Sequence, residues 1–135
     1  MASKSDYSEL KVLDHMFNDG TFTAAAVYVA LCTTIPTDAS LGTNIVEANY
    51  TGYARLLINA SDMSAAAAGS KTNSAALTFA ACTAGSSTIV GFAIVDNATT
   101  SLGNIHYWGT TTSKLIDTSN TPPTIAIGGL VVTED

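Results

Sequence analysis

Residues 88–117 read TIVGFAIVDNATTSLGNIHYWGTTTSKLID: β-branched and aromatic runs separated by a polar break of Asn, Thr, Ser and Gly. Runs of this make-up bounded by turn formers are strands, because branched and ring side chains pack well on a pleated surface while Asn, Ser and Gly tolerate the dihedrals of a turn. The stretch therefore predicts strands over 88–96, 104–111 and 114–117, with a turn at 97–103.

Working outward, AAVYVALCT at 25–33 is a strand stopped by Ile35-Pro36-Thr37-Asp38, GYARLLIN at 52–59 is another, and 75–82 and 124–133 complete the set. Turn chemistry fills 84–87 and 119–123. Residues 39–51 are polar and too many for a tight hairpin, so they predict a long loop or irregular edge, and 62–73, with its run of four alanines, predicts a wide loop in preference to a helical turn. Gly128-Gly129 inside the last strand is suited to kinking the chain from one sheet into another. About seven strands with turns every eight to twelve residues predict an all-β antiparallel β-sandwich.

The first segment differs. Tyr7, Leu10, Leu13, Met16 and Phe17 recur at three- and four-residue steps, which places them on one face of an amphipathic helix over 6–17. Asp6 is the expected N-cap with Glu9 in the capping-box position, and Asn18-Asp19-Gly20 is the stop. The organisation expected is an N-terminal helical arm at 1–20 and a single β-sandwich domain at 21–135.

The chain has 135 residues, 47% hydrophobic but only 12% charged, with net charge −6. Soluble domains carry roughly 25% charged residues. An outer surface of Thr, Ser, Asn, Ala and Gly avoids the large desolvation cost of burying charges, so it suits a subunit packed against others. Five Lys and Arg against eleven Asp and Glu leave no basic stripe for phosphates, so nucleic acid and anionic membranes are poor partners. No apolar run approaches the ~20 residues of a membrane helix, and the start MASKSD lacks the apolar core of a signal peptide, so synthesis in a host cytoplasm is expected. Cys32 and Cys82 lie in apolar runs and read as reduced core residues.

Catalytic patterns are missing. There is no G-x-S-x-G, and no Gly-rich phosphate loop of either common spacing. Cys32 or Cys82 with His15 or His106 make a nucleophile pair or a zinc set only on paper, because none has the short spacing that prepositions two ligands. Asp96 and Asp117 stand beside turn residues, where Asp caps a bend. No enzyme activity, cofactor or metal is expected. The sequons at Asn49, Asn59 and Asn97 are of the kind an Asn/Ser/Thr-rich chain contains by chance. The segment Asn104-Ile105-His106-Tyr107-Trp108-Gly109 gathers aromatic side chains; alternation puts His106 and Trp108 on one face and Ile105, Tyr107 and Gly109 on the other. It reads as a core face or as an aromatic contact surface.

A pattern runs through nearly the whole chain: LKVLDHMFNDGTFTAAAVYVALCTTIPT, EANYTGYARLLI at 47–58, SAALTFAA at 74–81, IVGFAIVDNATTSLGNIHYWGTTT at 89–112 and the closing IAIGGLVVTED. It resembles a family of small virion structural proteins of tailed bacteriophages, cyanophages among them, described as tail-fibre-like or capsid cement proteins. The resemblance implies a sandwich or jelly-roll-like protomer that forms dimers or trimers and attaches to other virion proteins, and it implies no catalytic residues. The reading preferred is a capsid cement or decoration protein on the outer surface of the head, bridging major capsid protein subunits. The alternatives are a tail fibre or baseplate component, and a glycan-binding virion surface module using Tyr107 and Trp108. The candidate partner contacts are Tyr7, Leu10, Leu13, Phe17, His106 and Trp108.

Overall fold

The computed structural model describes residues 2–22, 25–120 and 122–134. In chain order the elements are β1 (Ala2–Lys4), α1 (Asp6–Met16), β2 (Val27–Cys32), β3 (Leu56–Ile58), a 3-10 turn (Ala60–Asp62), β4 (Ser70–Thr72), β5 (Leu77–Thr78), β6 (Ser86–Val95), β7 (Ile105–Asp117), β8 (Thr124–Ile125) and β9 (Val131–Thr133). Seven strands form one sheet in the order β3-β2-β6-β7-β1-β9-β4, and β5 and β8 pair as a separate ribbon. The hairpin β6–β7 is the spine, with Ser86 opposite Asp117 and Phe92 opposite Gly109. Every pairing is antiparallel except β1 with β9. The architecture is the expected all-β, sandwich-like one with a single N-terminal helix.

Both faces of the sheet centre are covered. On one, Val29, Leu31, Ile89, Ile94 and Ile116 pack with Leu77 and Phe79 of the ribbon layer and with Tyr50 and Leu130. On the other, Ala30, Cys32, Ala93, Val95 and Ile105 form a smaller core backed by Tyr28, Ile45 and Trp108. A strand buried on both sides has no polar face, which is why VYVALC reads as one apolar run without alternation.

Several boundaries differ from the sequence reading. The strands at 104–111 and 114–117 are one 13-residue strand: Thr110 pairs with Gly91 and Lys114 with Ile89, and the exposed Thr111-Thr112-Ser113 stretch between them is a register shift that does not end the strand. The segment 124–133 splits at Gly128-Gly129, so that β8 joins the ribbon and β9 the large sheet; Gly128 sits at φ +74°, where a side chain is strained. In 52–59 only Leu56–Ile58 is strand. Strand β4 lies within the stretch read as a wide loop, and β1 has no counterpart in the reading, since ASK carries no periodic signal and its pairing is supplied by the exposed edge of β7. The helix is capped by Ser5 in place of Asp6: the Ser5 side chain accepts from the Ser8 N–H, and its hydroxyl donates to the Ile105 carbonyl. The 39–51 segment is a loop, but its second half turns inward, with Ala48 and Tyr50 buried.

Alternation along β7 fails at its start. A register shift lies where Val95 pairs with Ile105 and Ile94 with Tyr107, which leaves His106 as the extra residue of a bulge. Ile105 therefore shares a core with Trp108, while His106 lies beside Tyr107 on the opposite side. The reading that set His106 with Trp108 and Ile105 with Tyr107 is corrected by that one residue.

Candidate interaction surface

Helix α1 is mounted on the sheet by its first turn. The Ser5 N–H donates to the His106 carbonyl at 3.1 Å, and the buried Ser8 hydroxyl lies 3.0 Å from His106 Nδ1. The Tyr7 ring meets the His106 ring edge-on at 5.6 Å between centroids, and Phe22 approaches it at 5.8 Å. Burial pushes the His106 pKa below its ordinary value, against a smaller upward pull from Asp96.

Ser8 is the one fully buried residue of α1, so the helix shows the sheet its small polar side and turns its larger apolar side outward. Leu10, Leu13, Met16 and Phe17 are 61%, 53%, 73% and 79% exposed. At 100° per residue Ser8 stands roughly opposite the Leu10–Leu13–Phe17 stripe. The stripe does not cover this domain's own core. Of the six candidate contacts, the structure brings Tyr7 and His106 together, leaves Leu10, Leu13 and Phe17 as an outward apolar row, and sets Trp108 in the small core on the far face of the sheet. Tyr107 packs against the large core, on the opposite face from Trp108, so the two rings do not form one aromatic platform.

Beside His106 and Tyr107 opens an apolar groove of about 480 Å³, walled by Val27, Ile58, Met63, Leu130 and Val132. Its rim carries Lys71 and Glu134. Glu134 is engaged within the chain: it forms an ion pair with Lys4 and accepts from the Tyr107 hydroxyl. Burial acts upward on the Glu134 pKa, but the bonds from Lys4 and Tyr107 outweigh it and hold the carboxyl below its ordinary value. Lys71 forms no ion pair among the described residues. A second cavity of about 390 Å³, bordered by Phe79, Phe92 and Thr110, has a hydroxyl-rich rim.

One polar cluster escapes sequence reading. Arg55, buried in the protein, donates to both Glu47 carboxylate oxygens, with Nη2 at 2.7 Å, and also to the carbonyls of Asn97 and Leu102 at 2.8 Å and of Gly42 at 3.2 Å. The Tyr53 hydroxyl donates to Glu47 at 2.8 Å and accepts from the Leu31 N–H. The signal available was an arginine in a chain with few bases, within two residues of a tyrosine; its partners at 42, 47, 97 and 102 are joined only by the tertiary fold. The cluster staples the β2–β3 connection and the β6–β7 turn to each other and, through Tyr53, to β2.

The cysteines are free and buried, one in each core. Burial, then the nearby Glu47 charge, push the Cys32 thiol up to about 12, which makes it a poor nucleophile. Asp96 accepts from the Asn104 N–H and side-chain amide, and Asp117 from Ser119 and Asn120, so both carboxylates cap turns. Among the described residues no group of three or more His, Cys, Asp and Glu is placed to hold a metal, and no helix is long and apolar enough to cross a membrane.

The domain is thus charge-poor and β-rich, its cysteines are packed, Asp96 and Asp117 cap turns, and α1 holds an apolar row outward. Over residues 3–133 the chain matches the family model described as "Podophage GP4 fiber I protein gp80", and it belongs to that family. It is thus a phage virion structural protein, as the resemblance implied, and its family associates with other virion proteins. No curated protein matches the chain.

Proposed function

We propose that the protein is a structural subunit of a virion fibre, attached to neighbouring virion proteins through the outward row of α1. The observation that carries this is the exposure of Leu10, Leu13, Met16 and Phe17 on a helix whose opposite side is anchored to the sheet. Exposed apolar groups in one row are an unpaid hydrophobic free energy of about 1.5–3 kcal/mol per fully buried side chain, recovered when a partner covers them. The family's description as a fibre protein supports a fibre position over the head-decoration expectation. Many copies, each joined by a modest contact, multiply that contact along an assembly.

The test replaces Leu10, Leu13, Met16 and Phe17 by Gln, a good helix former, in the virus. The expected result is a folded chain, by circular dichroism, that is missing from purified particles. Incorporation at the wild-type copy number overturns the role of α1. Gold-labelled antibody on wild-type particles checks position: label on fibres is expected, and label over the head overturns the fibre assignment.

A further inference from the structure

We infer that the groove walled by Val27, Ile58, Met63, Leu130 and Val132 receives α1 of a second copy of this chain, in a reciprocal pair. The inference rests on the reading of α1 as the attachment element and names the partner. Among the described residues, two apolar surfaces are left without a partner, one convex and one concave. They cannot satisfy each other within the molecule. The Ser8 side of α1 is held against His106, and the stripe points roughly the opposite way, so the helix that fills the groove comes from another copy.

Area decides the form of the pair. Taking ~200 Å² for a Phe side chain and ~120 Å² for each Leu or Met, the exposed portions of the stripe amount to about 400 Å². One helix in one groove removes about 600 Å² in total from water, well below the ~1,200 Å² of a stable interface, whereas two helices in two grooves remove about 1,200 Å², the lower end of that range. A two-fold pair supplies that doubling with no further surface.

Charge agrees. Asp14 follows Leu10 by one helical turn and so borders the stripe, with Glu9 on its other flank. The groove rim offers Lys71, while its carboxylate, Glu134, is already neutralised by Lys4. Asp14 lies 3.9 Å from Lys11 on its own helix, but both side chains are 43% exposed, so that pair is weak and leaves the carboxylate able to face Lys71.

The experiment is sedimentation velocity on the purified full-length chain, with Asp14→Lys, Lys71→Glu and the double reversal. A dimer is expected for the wild type, weakened about threefold to fivefold in Kd by either single reversal and restored in the double, as for rim charges that face each other. Mixing differently tagged Leu13→Cys and Met63→Cys chains under mild oxidation is expected to give a heterodimeric crosslink. A wild type that stays monomeric, a trimer, or a dimer indifferent to both reversals overturns the inference. If the chain is monomeric yet the Gln-substituted helix still drops out of particles, α1 binds a different virion protein and the fibre reading stands. If that variant enters particles normally, it is the attachment role of α1 that fails.

Discussion

Replacing Arg55 by Met leaves Glu47 in place with its side chain only 7% exposed, and removes three sets of hydrogen bonds at once. The carboxylate keeps the Tyr53 hydroxyl but loses its charged partner, and the carbonyls of Gly42, Asn97 and Leu102 lose their donor. Breaking one side of a buried ion pair costs about 3–5 kcal/mol, because the remaining charge is stranded away from water. For 135 residues an unfolding entropy of ~2.1 cal/mol/K per residue gives about 0.28 kcal/mol/K, so a loss of ~4 kcal/mol lowers Tm by about 14 °C. The assay is a thermal melt by circular dichroism at fixed protein concentration, since any association shifts Tm. Amide hydrogen exchange should accelerate in 97–103, the turn that Arg55 clamps. The double variant Arg55→Met/Glu47→Leu should regain part of the loss, because the stranded charge is gone while the carbonyls remain uncapped. A single-variant shift under about 4 °C, or a double variant no better than the single, refutes the claim that the pair is desolvated and shared among loops.

Three further outcomes follow from the same geometry. Asn73, 1% exposed, donates to the Ala75 and Ala126 carbonyls and accepts from the Leu130 N–H, so Asn73→Ala should cost about 2–4 kcal/mol in urea unfolding and loosen the Gly128-Gly129 corner. Cys32, buried with its thiol held protonated, should resist Ellman's reagent at pH 8 in the native protein and react at the free-thiol rate in denaturant. Because burial depresses the folded pKa of His106 below 6.5, its contribution to stability is fully present above that value and lost as pH falls through the folded pKa, the unfolded chain taking up the proton first. Urea titrations from pH 7.5 to 5 should therefore show a steeper fall for wild type than for His106→Gln, and equal slopes would count against a buried neutral imidazole.

Much of the architecture was legible because it rests on local chemistry. The β6–β7 spine, the doubly buried β2 and the Gly128-Gly129 corner announce themselves through β-branched runs and turn residues that act within a few positions of themselves. The amphipathic helix was legible too, but not the direction in which it faces. Periodicity groups Tyr7, Leu10, Leu13 and Phe17 without saying what they meet. The deciding contacts come from small polar residues, Ser5 and Ser8, bound to Ile105 and His106 about a hundred positions away, and nothing in a serine marks it as an anchor. His106 was read as a candidate partner contact; in the fold it meets Ser8, Tyr7 and Phe22 of its own chain, and its face was misassigned because a bulge inserts one residue and inverts the pleat.

By itself, the order of residues determined the class: a short, charge-poor, β-rich chain with an apolar helical stripe near its start and a family pattern from end to end. Tertiary structure decided which surfaces are left over. Pairing of β1 to β7, closure of Glu47 on Arg55 and the outward turn of α1 all depend on groups far apart in the chain. Hydrophobic period and turn propensity are properties of neighbours, whereas exposure is what remains after every distant group has found its partner.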